Sequence, residues 1–252
     1  MPTSSDAAPL HIICFRWGER YGAEYVNKLY SMVGRNLPLS HVFHCVTDQP
    51  SGLAAGIEVH PLPADHFNAN WNKLMMFQED FLGLGGQLAL CLDVDIVIVG
   101  DISFLTAEPE KDFLIAKNWA TGVRGNSSVY RLRVGSHLHV WEDFNNDTAK
   151  NIADFHGKNL TFGDQQWMNH AIKDYGYFPE GKIVSFKRHC GAKGLEIKLP
   201  CIGNVSTGRF GRALPPDDAA IVLFHGDPLP PDVRDSHSGR WRQAPFVSKH
   251  WH

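Results

Sequence analysis

The stretch Gln87-Leu-Ala-Leu-Cys-Leu92 carries no polar alternation, and that property constrains the fold more than any other feature of the chain. A strand wet on one face alternates apolar and polar residues; a strand covered on both faces does not, and such strands sit centrally in α/β sheets. The strand expected at residues 87–92 therefore needs helices on both sides and strands at both edges. The preceding residues supply them. His11–Arg16 (HIICFR) reads as a buried first strand, and Val26, Leu29, Tyr30, Val33 and Leu37 follow at helical spacing until Pro38. His41–Val46 and Ile57–Leu62 read as two further strands, so the order strand, helix, strand opens a βαβ arrangement.

Further along, Trp71–Leu82 has its apolar residues spaced as one face of a helix, broken by Gly83, Gly85 and Gly86. Phe113–Ala116 and Ser128–Val134 read as strands with an Arg-Gly-Asn-Ser-Ser turn between them. Residues 136–155 read as mostly helical, 164–175 as a helix, 183–187 and 220–224 as strands, and Gly203–Gly211 as a loop. The expected organisation is one α/β domain over residues 1–229 with a Rossmann-like mixed sheet, followed by a C-terminal extension, 230–252, that has no readable pattern.

A net charge of −3, from 24 Lys and Arg against 27 Asp and Glu, argues against a nucleic-acid binder, which needs a basic excess or stripe. Cys14, Cys45, Cys91, Cys190 and Cys201 include no CxxC pair, and three of them lie in strand-like runs, so buried free thiols are expected. The N-terminus has neither a basic start nor an apolar h-region, and no run of eighteen apolar residues occurs; the expectation is a cytoplasmic protein, or one peripheral to the inner face of a membrane. The sequons at Asn126, Asn146, Asn159 and Asn204 are read as chance. No GxGxxG and no GxxxxGK[ST] is present.

The chemistry begins where the central strand ends. Asp93-Val94-Asp95 follows Leu92 directly and precedes a second apolar run, Ile96–Val99. Carboxylates at i and i+2, at the carboxyl end of a buried strand, can converge on one cation, and that edge is where open α/β sheets bind ligands. The structural alternative is a solvated acidic turn. His225 holds a similar place after the last strand, and two carboxylates with an imidazole make an O,O,N set that suits Mn2+ better than Ca2+.

Taken in order, Trp17-Gly-Glu-Arg-Tyr21, Trp71-Asn-Lys73-Leu, Leu90-Cys-Leu-Asp93-Val94-Asp95, Asn126-Ser-Ser-Val, Asp164-Gln165 and Phe224-His225-Gly226 resemble the motif series of GT-A-fold glycosyltransferases. The likeness is to family 8, the glycogenin and lipopolysaccharide galactosyltransferase family, and spans roughly Leu10 to Pro228. The resemblance implies metal ligation by Asp93, Asp95 and His225, with Mn2+ or Mg2+ as the ion. It implies stacking of Tyr21 on the donor base, and contact of Lys73 with the donor phosphates or the DxD element. Val94 and Gly226 would adjoin the donor, Asn126 would face the sugar or acceptor, and Asp164 and Gln165 would lie near the transferred sugar. The implied substrates are a nucleotide-sugar, a UDP-sugar favoured, and a glycan, lipid or small-molecule acceptor, with retention of configuration; the oligomeric state is not implied.

Each residue also has a structural reading: Tyr21 as a helix start, Lys73 as a solvated helix charge, Asn126 as a turn former, and Asp164 as an N-cap. Two departures accompany the match. His225-Gly226-Asp227-Pro228-Leu229-Pro230 lacks the family's late Lys, and Asn126-Ser127-Ser128 lacks its Gly. Arg16 and Arg124 are candidate further cations, while Lys187-Arg188 reads as a solvated pair. Two other functions remain open from the sequence: a DxD phosphohydrolase, whose motif would normally stand near the chain start, and a non-catalytic sugar-nucleotide binder of the same fold.

Overall fold

The computed structural model describes residues 9–65, 67, 69–119, 125–155, 163–199 and 203–252. In chain order its elements begin with β1 (Leu10–Arg16), α1 (Ala23–Asn36), β2 (His41–Thr47) and β3 (Glu58–Pro61), then two 3-10 segments, Ala69–Phe77 and Phe81–Gly83. There follow β4 (Leu88–Leu92), β5 (Ile96–Ile98), a short 3-10 turn (Ser103–Thr106), β6 (Phe113–Lys117), β7 (Gly125–Arg133), α2 (Leu138–Asn146), α3 (Thr148–Phe155), α4 (Gly163–Ala171) and β8 (Gly176–Tyr177). The rest comprises β9 (Ile183–Ser185), α5 (Phe186–His189), β10 (Glu196–Leu199), β11 (Gly203–Ser206), a 3-10 turn (Thr207–Arg209), β12 (Ile221–Leu223), α6 (Pro230–Arg234) and α7 (Pro245–His250).

The chain forms two compact units, the first from Met1–Val26, Leu39–Asp93 and Leu105–Phe178, the second from Asn27–Pro38, Val94–Phe104 and Pro179–His252. The first holds a seven-stranded mixed sheet in the order β3-β2-β1-β4-β7-β6-β8. β1 lies parallel between β2 and β4, while β7 runs antiparallel to both β4 and β6. The unbroken apolar run of β4 thus does sit centrally, with Ala89 to Cys91 wholly buried. On one sheet face Ile13, Phe15, Val46, Cys91, Ile115 and Tyr130 meet the side chains of the first 3-10 segment, α2 and α4. Trp71 stacks on Phe144 at 4.9 Å, and Trp167 donates its indole N–H to the Val140 carbonyl at 2.9 Å, so the bulkiest polar-tipped ring in that layer leaves no buried donor unpaired.

The second unit contains the sheet β5-β12-β9, with β12 antiparallel to β5 and parallel to β9, and the antiparallel pair β10-β11. Phe186 stacks on Phe224 at 4.5 Å in its core. Residues 230–252 fold as α6 and α7 here, and the end of the chain is tied down: Arg35 donates to the carbonyls of His250 and His252 at 2.7 and 2.8 Å, and Lys28 sits 3.5 Å over the Trp251 ring.

Several sequence expectations need correction. Residues 71–82 are not an α-helix: Ala69–Phe77 is 3-10, and every residue from Trp71 to Phe77 is buried. A segment enclosed on all sides has no solvent face to favour the amphipathic α period, and its backbone is pinned by Tyr130, whose hydroxyl donates to the Lys73 carbonyl at 3.1 Å. The turn expected at residues 124–128 is, from Gly125 on, part of β7, which pairs with Lys117 and Ala116 past a register shift at Ile115/Ala116. The helical stretch 136–155 breaks at Asp147 into α2 and α3. The helix expected to run to Tyr175 stops at Ala171 and gives way to β8, and the loop at 203–211 includes β11.

Candidate active site

At the carboxyl end of β4 the chain leaves the sheet through Asp93, whose N–H bonds to the Ser128 carbonyl of β7 at 2.9 Å. The antiparallel neighbour therefore fixes the backbone from which the carboxylate projects. Lys73 arrives from the buried 3-10 segment. Its ammonium donates to Asp93 Oδ1 at 2.9 Å, to the Ser127 carbonyl at 3.0 Å and to Ser127 Oγ at 3.3 Å, and it lies 3.1 Å from Asp164 Oδ2. Lys73 is 4 % exposed and Asp164 0 %, whereas Asp93 keeps 28 % of its side chain open.

Burial works against the Lys73 charge, but Asp164 and then Asp93 outweigh it, so its pKa is raised and the ammonium stays charged. Two carboxylates facing one ammonium leave the cluster with an excess negative charge. Among the described residues, neither oxygen of Asp164 has a hydrogen-bond partner, so Lys73 holds it by charge rather than by an aligned bond. Lys73 is thus no solvated helix charge, and Asp164 is no N-cap. Asp164 lies within the first turn of α4, its carboxylate committed to Lys73.

The same strip of β7 gathers two more of the expected residues. Gln165 Oε1 accepts the Ser127 N–H at 3.2 Å, and Asn126 Oδ1 accepts the Ser128 N–H at 2.9 Å. Both side chains are buried, Gln165 to 6 % and Asn126 to 7 % exposure, and both satisfy backbone donors of a polar strand end. The structure so brings Asp93, Asp164 and Ser127 around Lys73, with Gln165 and Asn126 holding the backbone of Ser127 and Ser128. Ser127 itself carried no separate signal in the sequence beyond its place in the Asn-Ser-Ser stretch.

Tyr21 stands in the turn that leaves β1, its ring edge-on to Tyr25 at 4.9 Å and beneath the Arg20 guanidinium at 5.4 Å. Arg16 braces this turn. It donates from Nε to the Tyr21 carbonyl at 2.9 Å, from Nη1 to the Gln49 carbonyl, and from Nη2 to Gln49 Oε1 at 3.0 Å. Arg16 is 6 % exposed and its guanidinium is spent on the loops after β1 and β2, so it is not a free phosphate cation. Arg124 lies outside the described residues.

The remaining expected residues belong to the second unit. Val94 is buried and Asp95 is 8 % exposed at the entrance to β5. The register Ile96↔Leu223 sets Asp95 and His225 at the same end of the β5-β12 pair. His225 has φ +40°, in the region that disfavours a side chain, and Gly226 follows at φ +81°. Its Nε2 meets Ser185 Oγ at 2.6 Å, and Lys187 donates to its carbonyl at 3.0 Å. Burial first, then the Lys187 charge, pulls the imidazole down to about 4, so the ring is neutral near pH 7 and can act as a metal ligand. Lys187 is half-buried beneath this turn, not part of a solvated pair, although Arg188 is exposed.

A mixed sheet in this strand order, with an acidic pair leaving its central strand, is the GT-A glycosyltransferase fold. Two solved structures similar to the chain are of the galactosyltransferase LgtC. One, in complex with donor and acceptor sugar analogs, has a TM-score of 0.60 at 12 % identity over 94 % of this chain and 94 % of that one. The other, an active-site mutant, has a TM-score of 0.52 at 11 % identity over 87 % of this chain and 89 % of that one. At these identities the likeness is one of fold. No protein-family model matches the chain, and no curated protein matches it. Among the described residues no helix is long and apolar enough to cross a membrane.

Proposed function

We propose that the chain is a glycosyltransferase that moves a sugar from a nucleotide-sugar, a UDP-sugar favoured, to a glycan, lipid or small-molecule acceptor with retention of configuration. The observation that carries this reading is the buried Lys73 locking Asp93 and Asp164 together at the carboxyl end of the central strand of a GT-A sheet. The donor and acceptor sugar analogs held by one similar structure support transfer from a sugar donor to a sugar acceptor.

In this reading Asp93, Asp95 and His225 hold Mn2+ or Mg2+. By the chemistry of its donors the set suits such an ion: two carboxylates and an imidazole kept neutral by burial offer hard oxygens and one borderline nitrogen. A bound divalent ion supplies Lewis-acid stabilisation of the departing nucleoside diphosphate. The chain's own groups do the rest. Lys73 takes up one lobe of Asp93 and fixes its direction, Asp164 orients Lys73 from the buried side, and Gln165 and Asn126 hold the β7 strip against which the sugar lies. Tyr21, on a turn braced by Arg16, offers its ring to the base, and Lys187 places positive charge beneath the His225–Gly226 turn, where the family's late Lys is missing. The bond from the anomeric carbon to the diphosphate oxygen breaks, one to the acceptor oxygen forms, and the acceptor's proton passes to the departing diphosphate.

The test is a thermal-shift panel of UDP, GDP, ADP and CDP, each with and without Mn2+, followed by an assay for nucleoside diphosphate release. A Mn2+-dependent rise in Tm for one nucleotide, with release abolished in Asp95→Ala, is the expected outcome. A shift without release from any nucleotide-sugar would mean a non-catalytic binder. No shift with any nucleotide, together with phosphomonoester hydrolysis, would replace the transferase by a DxD phosphohydrolase.

A further inference from the structure

Away from the acidic cluster, three strands of the seven-stranded sheet carry a row of imidazoles that the transferase reading does not use. His11 lies on β1, His44 on β2 and His60 on the edge strand β3, with Gln87 just ahead of β4. The parallel register sets His44 against Glu58 and Val46 against His60, so Glu58 and His60, two residues apart, project on the same face as His44. The row is bonded end to end: His60 Nε2 to His44 Nδ1 at 3.0 Å, His44 Nε2 to His11 Nδ1 at 2.9 Å, and His11 Nε2 to Gln87 Oε1 at 3.1 Å. Glu58 Oε2 stands 3.4 Å from His44 Nδ1.

Hydrogen-bond chemistry orients the row. Gln87 Oε1 can only accept, so the His11 hydrogen sits on Nε2 and its Nδ1 accepts from His44 Nε2–H. His44 is left with the lone pair of Nδ1 aimed at both Glu58 and His60. That lone pair accepts the His60 Nε2–H but also stands 3.4 Å from a carboxylate oxygen, a contact between two acceptors that a cation in place of the His60 proton would relieve. We infer that His44 Nδ1, His60 Nε2 and the Glu58 carboxylate form a binding site for a divalent transition-metal ion of the Zn2+ type.

The three ligand atoms all lie within 4.8 Å of one another. Ligands about 2.0–2.1 Å from a tetrahedral zinc stand roughly 3.3 Å apart. The 3.0 and 3.4 Å separations from His44 Nδ1 bracket that spacing, and the third, between His60 and Glu58, is within 4.8 Å. For His44, His11 backed by Gln87 forms the outer arrangement that a metal-bound imidazole requires, a partner accepting the second ring N–H and fixing the ring plane. Two imidazoles and one carboxylate select a borderline ion over Mg2+ or Ca2+. His44 is 3 % exposed, while the Glu58 side chain is 59 % exposed, so the ion enters from the Glu58 side and a water completes the fourth position. Burial also lowers both His44 and His60, which frees their lone pairs at neutral pH. The ion would pin the edge strand β3 to β2.

The test uses the untagged full chain in an Asp95→Ala/His225→Ala background, which removes the metal ligands proposed for sugar transfer, so the two readings stand or fall separately. Chelator-stripped protein is titrated with Zn2+ by calorimetry, and with Co2+ by visible absorption. The expected result is one Zn2+ per chain, a higher Tm, and a four-coordinate Co2+ spectrum, all lost in His60→Ala and weakened in Glu58→Gln. His11→Phe, which removes only the outer partner, lowers affinity by roughly 10- to 100-fold. Absence of saturable uptake would overturn the site. So would uptake unchanged in both His60→Ala and Glu58→Gln, which would leave a purely hydrogen-bonded histidine row. If His60→Ala does not fold, Glu58→Gln decides alone, because its side chain is largely in solvent.

Discussion

Lys73 and Asp164 share a buried ion pair, 3.1 Å from Nζ to Oδ2, in which the carboxylate is wholly inaccessible and finds no hydrogen-bond partner among the described residues. The pair is held by Coulomb attraction in a low-dielectric setting, with Asp93 as the second, more open claimant on the same ammonium.

Removing one partner is therefore costly. Lys73→Met is expected to destabilise the protein by about 3–5 kcal/mol, because it strands Asp164 as an uncompensated buried charge. Lys73→Met/Asp164→Asn should recover part of that loss, since neither charge remains, and the cycle should show non-additivity of about 1–3 kcal/mol. Urea unfolding of the four proteins measures this; strictly additive losses would mean that the two groups do not interact.

Gly163 tests how tightly α4 is seated. A β-carbon there would land inside the indole of Trp71, which stacks on Phe144. Gly163→Ala should cost about 1–3 kcal/mol through overpacking. It should also lower nucleoside diphosphate release, because Gly163 directly precedes Asp164 and the Trp71 ring it would displace lies two residues before Lys73. Tryptophan fluorescence and the release assay on the same variant report the two effects.

Arg16 supplies the brace between the turns after β1 and β2. Arg16→Ala leaves the carbonyls of Tyr21 and Gln49 without their charged donor and should cost about 2–3 kcal/mol. Limited proteolysis should then cut between residues 17 and 22 faster than in the parent chain. An unchanged cleavage rate would show that the turn is held by other contacts.

The thiols give a chemical readout of the core. Cys14, Cys45, Cys91 and Cys190 are free and buried. Burial pushes Cys91 and Cys190 up to about 12, and raises Cys14 well above the ordinary thiol range, so little reactive thiolate exists at pH 8. Native protein at pH 8 should release no prompt colour from DTNB at Cys14, Cys45, Cys91 or Cys190, and unfolded protein should react at all four. Prompt reaction of Cys91 would contradict its place in the central strand.

The strands were legible because burial writes itself into composition: the unalternated Leu88–Leu92 run could only be central, and the helical spacing from Val26 to Leu37 could only end at Pro38. The same pattern misread Trp71–Phe77, where apolar spacing suited an α-helix but enclosure and the Lys73 anchor selected the tighter turn. It also misread Gly125–Ser128, whose turn-forming residues serve as a strand because Lys73 and Gln165 satisfy their polar groups.

What the chain's own order of residues determined was local: which segments are strands, where the acidic pair leaves the central one, and that a histidine ends the last. Tertiary structure alone decided the partnerships, that Lys73 answers Asp164 as well as Asp93, that Arg16 is consumed by two loops, and that His11, His44 and His60 align. Periodicity reports which face of an element is buried, whereas a side chain's partner depends on sheet order and register, which are set by the packing of segments far apart in the chain.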